Sequence, residues 1–156
     1  MGNTGRDSSC SVLILSDDES LFHPALRELD NLAPTFTNSA CSAVSHFSTD
    51  PTDLVVVNLE AFPDAGAECI SIFRDLAKNT FIVATFPADH RRQSQQALDS
   101  GADAVLIHPF YPRELAAMLR RGFARVRAAS EHPTAAAPGY GPVSAVAAGV
   151  SSLLRD

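Results

Sequence analysis

No stretch of the 156 residues approaches the roughly 20 consecutive apolar side chains that a membrane-spanning helix needs. Met1 to Ser9 likewise lacks the apolar centre of a secretion signal. The expectation is a soluble, cytoplasmic chain with no membrane partner. Cysteine is scarce, and Cys10, Cys41 and Cys69 are odd in number, widely spaced and without a CxxC pair, which suits reduced thiols better than a disulfide framework. They read as reduced core or surface thiols, and neither zinc nor redox chemistry is expected of them. A basic stripe is also missing: with a net charge of −6, the chain is not expected to bind nucleic acid generally. His23, His46, His90 and His132 show no metal-ligand spacing, so no metal site is expected. There is no glycine-rich phosphate loop, nucleophile elbow or paired base, and the chain is not expected to be an enzyme.

What is present is alternation. Ser11 to Leu15 and Asp53 to Asn58 are short apolar, β-branched runs that end in polar residues, the pattern of buried parallel strands. Thr35 to Asn38, Thr80 to Thr85 and Ala104 to Ile107 complete five strands. Between them, helical spacing predicts helices over Ser20 to Leu32, ended by Pro34, and over Ser39 to Phe47. A third, Ala67 to Lys78, follows a loop from Leu59 to Ala65 and turns a stripe of Cys69, Ile72, Phe73 and Leu76 to the sheet. His90 to Ser100 is a polar helix anchored only by Ala97 and Leu98 and capped by Gly101. Pro112 opens a long helix to about Ala128 as a first-turn proline. Strands alternating with helices imply an α/β fold, a doubly wound five-stranded parallel sheet with right-handed crossovers and helices on both faces, a three-layer sandwich.

The expected organisation is a flexible tail over 1–10, one domain over 11–129 and a linker over 130–142 rich in Pro, Gly and Ala. A helical tail over 143–156 is expected to lead toward a further domain.

Open α/β sheets build sites at the C-terminal ends of their strands. Here those ends carry Ser16-Asp17-Asp18, Asn58, Thr85-Phe86 and His108-Pro109-Phe110. Five βα units with an acid after the first strand, a polar residue ending the third, Thr85 ending the fourth and His-Pro after the fifth resemble the receiver domain of bacterial two-component response regulators. The resemblance covers roughly 11–128 and implies the flavodoxin-like (βα)5 sandwich. In that family an acidic pair holds magnesium, the third strand ends in the phosphorylated aspartate, and Thr or Ser and then Lys-Pro follow. Carried across, the acidic pair falls on Ser16 and Asp17, the acceptor on Asn58, the hydroxyl on Thr85 and the lysine on His108.

Three of these positions depart from the pattern. Asn58 has no nucleophilic oxygen, so covalent phosphorylation there is not expected. With Asp17 the one clear anion, a hard divalent cation is expected to bind weakly or not at all. His108 is shorter than lysine and mostly neutral at neutral pH. Phe86 is bulky beside Thr85 and is expected to cover part of the pocket, and the aromatic switch position falls on Val105. For Asp17 and Asp18, helix capping is favoured over metal binding. Glu60, two residues past Asn58, is either a solvated loop residue or a fixed carboxylate beside the pocket.

The resemblance implies a degenerate, phosphorylation-independent module working by contact with a partner or a second copy through its fourth and fifth helices and fifth strand. Arg113, Arg120, Arg121, Arg125 and Arg127 on the last helix are the candidate contact residues, against the alternative of a solvated charged face. A second reading keeps Asn58, Thr85 and His108 as a sensor for a small anion or metabolite.

Overall fold

A computed structural model describes residues 9–131. In chain order the elements are β1 (Cys10–Leu15), a 3-10 turn (Glu19–Leu21), α1 (His23–Arg27), β2 (Leu32–Thr37), α2 (Ala40–Thr49), β3 (Leu54–Asn58), α3 (Pro63–Leu76), β4 (Phe81–Pro87), α4 (Arg91–Ser100), β5 (Ala104–His108) and α5 (Pro112–Glu131). The strands form one parallel sheet in the order β2-β1-β3-β4-β5. Contacts divide the chain into a unit ending at Ala124, which holds the sheet, and a second beginning at Arg125. Of the latter, the described part is the end of α5.

β3 is the axis of the sheet. All five of its residues are buried, because it has a strand on each side and helices over each face. One face presents Leu13, Leu15, Val55, Val57, Ile82, Ala84 and Phe86 to Ala43 and Phe47 of α2, Cys69, Ile70 and Phe73 of α3, and Ala97 of α4. The Phe47 and Phe73 rings meet at 4.7 Å between centroids. Since successive strand residues point to opposite faces, Val12, Ile14, Leu54, Val56 and Val83 look the other way, toward the layer where Phe22, Ala25, Leu115, Ala116 and Leu119 are buried.

Several boundaries differ from the sequence expectation, each for a tertiary reason. The helix expected to reach Leu32 stops at Arg27, and Leu32 and Pro34 belong to β2. Pro34 is tolerated because β2 is an edge strand, where one side of the backbone needs no ladder partner. Asn31 makes the turn at φ 63°, a conformation asparagine accepts more readily than most residues. α3 starts at Pro63 rather than Ala67, with the proline in the first turn. Its buried stripe is Gly66, Ala67, Cys69, Ile70 and Phe73, which leaves Ile72 and Leu76 exposed at 39% and 49%. Among the described side chains of α4 only Ala97 is buried, and Leu98 is exposed. β4 and β5 run on through Pro87 and His108. α5 continues to Glu131, two residues into the expected linker, and the rest of that linker and the 143–156 tail lie outside the described residues. At the other end, Cys10 already belongs to β1 rather than to the tail.

Two devices fix the ends of the sheet opposite the site. The Arg74 guanidinium donates to the carbonyls of Lys78, Thr80 and Gly101 and, at 2.6 Å, to Asp103 Oδ2, which also accepts from the Ile82 amide. Gly122 lets α5 approach β4 closely, since a Cβ there would come within 2.7 Å of Phe81 Cγ. Gly122→Ala improves intrinsic helix propensity but drives a methyl into a buried ring. The expected outcome is a net loss of about 1–3 kcal/mol in chemical denaturation, with no change in helix content by circular dichroism.

Candidate functional site

The C-terminal ends of β1, β3 and β4 bring Ser16, Asn58 and Thr85 together. Parallel register places Asn58 opposite Thr85, and the Ser16 amide donates to Thr37 O, which holds the residue just beyond β1. The three are 3%, 1% and 0% exposed. Buried polar groups at that depth must be hydrogen-bonded, and these bond one another. Asn58 Nδ2 donates to Ser16 Oγ at 3.1 Å, and its Oδ1 accepts from the Glu60 amide at 3.0 Å and from Thr85 Oγ1 at 3.4 Å. The Glu60 N–H can only donate, so it fixes which end of the Asn58 amide is oxygen. Ser16 Oγ in turn accepts from the Asp18 amide at 3.2 Å and donates to Asp18 O at 3.4 Å. The result is a neutral, internally satisfied cluster.

Asp17 and Asp18 stand outside the cluster and are exposed. Asp18 caps the 3-10 turn through Oδ1, which accepts from the Ser20 amide at 3.0 Å and from Ser20 Oγ, as the capping reading expects. Asp17 lines a polar cleft of about 480 Å3 with Ser16, Glu19, Thr35, Thr37 and His46. Among the described residues no group of three or more His, Cys, Asp or Glu is placed to hold a metal ion.

Phe86 corrects an expectation. It is 2% exposed and sits in the core with Val57 and Ala84, on the sheet face opposite Thr85, so it does not cover Asn58. Val105 pairs with Ala84 and packs against the same core. His108 follows the parity of Leu106, the partner of Thr85, and so lies on the Asn58 side. Its ring is 5.0 Å from that of Phe110, and its Nε2 is buried without a hydrogen-bond partner. Burial pushes the His108 pKa down, and the carboxylate of Glu60 pulls it partly back. Glu60 is thus solvent-exposed and yet close enough to act on the ring.

The arginines of α5 are all exposed, but they do not form one face. Arg113, Arg120 and Arg127, seven apart, fall along one line of the helix, and Arg120 donates from that line to Glu28 O at 2.9 Å, just past α1. Arg121 and Arg125, four apart, form a second line on another side. Exposed apolar side chains accompany the fourth helix and fifth strand: Leu98, Ile107 and Tyr111, the last 72% exposed.

No family model matches the sequence, and no curated protein matches it. Solved structures do. A response regulator receiver domain protein from Methanospirillum hungatei superposes with a TM-score of 0.69 at 17% identity, covering 78% of this chain and 98% of that one. The chain has a receiver-domain fold. The receiver domain of the TMAO respiratory system response regulator TorR gives 0.66 at 16% identity, over 75% of this chain and 98% of that one. A Rhodopirellula baltica protein named adenylate cyclase gives 0.71 at 19% identity, over 83% and 98%. In this chain β3 ends at Asn58.

The Glu60 amide is the functional group that sequence reading missed. The signal was available, because asparagine side chains commonly accept from the amide two residues on.

His108 supplies a pH test. Its folded-state pKa lies below the unfolded value, so its contribution to stability is full above the unfolded value and is lost as pH falls through the folded one. The thermal midpoint of the wild type is expected to fall more steeply than that of His108→Gln between about pH 8 and about pH 5. Glu60→Gln, which removes the opposing carboxylate, is expected to extend the drop to lower pH.

Proposed function

We propose that this chain is a phosphorylation-independent, receiver-like signalling module of the cytoplasm that acts by binding protein, either a partner or a second copy, and not as an enzyme. The observation that carries this reading is the Asn58 amide. Both of its ends are engaged by Ser16, Thr85 and the Glu60 backbone at 1% exposure. A phosphoacceptor must expose a nucleophilic oxygen and sit beside a cation that neutralises the incoming group. An amide in a closed neutral cluster does neither. Phosphorylation normally works by adding a doubly charged group that biases a bistable element. At Val105 that element lacks an aromatic ring and a hydroxyl.

The contact surface in this reading is α4, β5 and the side of α5 away from α1. It carries Leu98, Ile107 and Tyr111 as exposed apolar or aromatic groups, and Arg121 is exposed on α5. Aromatic residues and arginine are the side chains that protein interfaces concentrate. Arg120 is set apart from this surface by its bond to Glu28. The rival reading as an anion sensor draws on the unpartnered His108 Nε2, but burial favours the neutral ring, which weakens any hold on an anion.

One incubation separates these readings. Treated with acetyl phosphate and magnesium, the protein is expected to gain no phosphoryl mass and no thermal stabilisation. An acid-labile phosphoryl adduct mapped to this pocket would overturn the proposal, and a rise in midpoint with phosphate alone would favour the sensor. For the contact surface, Ile107→Asp with Arg121→Glu is expected to weaken self-association in sedimentation, or partner capture from the native host, by roughly 10-fold or more. Arg113→Glu serves as the surface control and leaves either unchanged.

A further inference from the structure

On the far side of the sheet from Asn58, α2 and α3 frame an apolar groove of about 400 Å3 whose walls include Ala40, Cys41, Val44, Cys69 and Ile72. Two of the three free cysteines of the chain meet there. Cys41 stands in the first turn of α2 and is exposed, whereas Cys69 projects from α3 and is 3% exposed. Cys69 Sγ lies 3.8 Å from the carbonyl oxygen of Ala40, the residue bonded to Cys41. Across a planar trans peptide that oxygen is about 2.8 Å from the next Cα, which puts the Cys69 sulfur within roughly 7 Å of Cys41 Cα. A disulfide needs Cα atoms about 4.4 to 6.8 Å apart and Cβ atoms about 4 Å apart. Forming the bond asks for rotation of the two side chains and movement at the exposed start of α2. The thiols are also close enough to interact electrically, since burial first, then Glu68 and Cys41, hold Cys69 in its protonated form. Cys10 is a bystander, fully buried at the start of β1 on the opposite sheet face.

We propose that Cys41 and Cys69 form a reversible dithiol–disulfide modification site for small disulfide oxidants of the glutathione class. The exposed Cys41 thiolate attacks one sulfur of oxidised glutathione, forming a mixed disulfide and releasing one glutathione thiolate. Cys69 loses its proton to solvent and attacks the Cys41 sulfur, forming the Cys41–Cys69 bond and expelling the second glutathione. Two protein thiols are oxidised and one glutathione disulfide is reduced to two thiols. The product ties α2 to α3 across the groove.

The test titrates the full chain with oxidised glutathione, quenches with an alkylating agent, and reads intact mass, free thiols in denaturant and a non-reducing digest. The wild type is expected to lose two hydrogens, to fall from three free thiols to one, to yield a single Cys41–Cys69 linked peptide, and to recover fully with dithiothreitol. Cys69→Ser is expected to stop as the glutathione adduct at Cys41, and Cys41→Ser to keep both remaining thiols. The proposal is overturned by a wild-type adduct at Cys41 that never resolves, by disulfide-linked dimers, or by linkage through Cys10.

Discussion

The constraint on which this structure depends is the complete burial of β3. A strand with neighbours on both edges and helices over both faces has no route to solvent until its last residue, and here that residue is itself 1% exposed. Whatever polar group ends the strand must find its partners inside the protein. An aspartate in that place without a cation would carry a buried charge. An asparagine carries none, and its amide donates on one side and accepts on the other, which is what Ser16 Oγ, Thr85 Oγ1 and the Glu60 amide require. Neutral residues at the ends of neighbouring strands are therefore mutually consistent: Ser16 suits Asn58 as a second carboxylate would not.

The same burial organises the two layers. Parity along β3 sends Val55 and Val57 toward α2 and α3, and Leu54, Val56 and Asn58 toward the other face. Thr85 and His108 fall on the Asn58 side, while Phe86 and Val105 fall on the other. Side chains adjacent in sequence thus belong to different physical environments. Phe86 contributes packing to the core that steadies the sheet, and Thr85 contributes a hydrogen bond to the site. The apolar groove with Cys41 and Cys69 lies across the sheet from the polar cluster, so chemistry at the groove need not pass through Asn58.

The electrostatics around the polar cluster are local. The exposed Asp17 and Asp18 face solvent and a turn, and the Glu60 carboxylate acts on the half-buried His108 while its backbone amide bonds Asn58. Leu98 on α4, Ile107 on β5 and Tyr111 just after it stand exposed, as does Arg121 on α5.

The sequence alone carries the fold class, the five strands and an amide, not a carboxylate, at the end of the third. Buried parallel strands announce themselves as apolar runs, and an amide cannot do the chemistry of a carboxylate wherever it is placed. It also marked Ser16, Thr85 and His108 as neighbours of Asn58, because the C-terminal ends of parallel strands share one edge of the sheet. Only the tertiary structure decided that Pro34 lies in a strand, since the tolerance comes from β2 being at the sheet edge. It turned Ile70 rather than Ile72 toward the core, because α3 begins at Pro63 and its face is set by packing on β3. It divided the α5 arginines between two lines, with Arg120 bound to Glu28. It also set Cys41 and Cys69, 28 positions apart in the chain, on facing walls of one groove. Each of these depends on which surfaces meet, and a linear pattern does not carry that information.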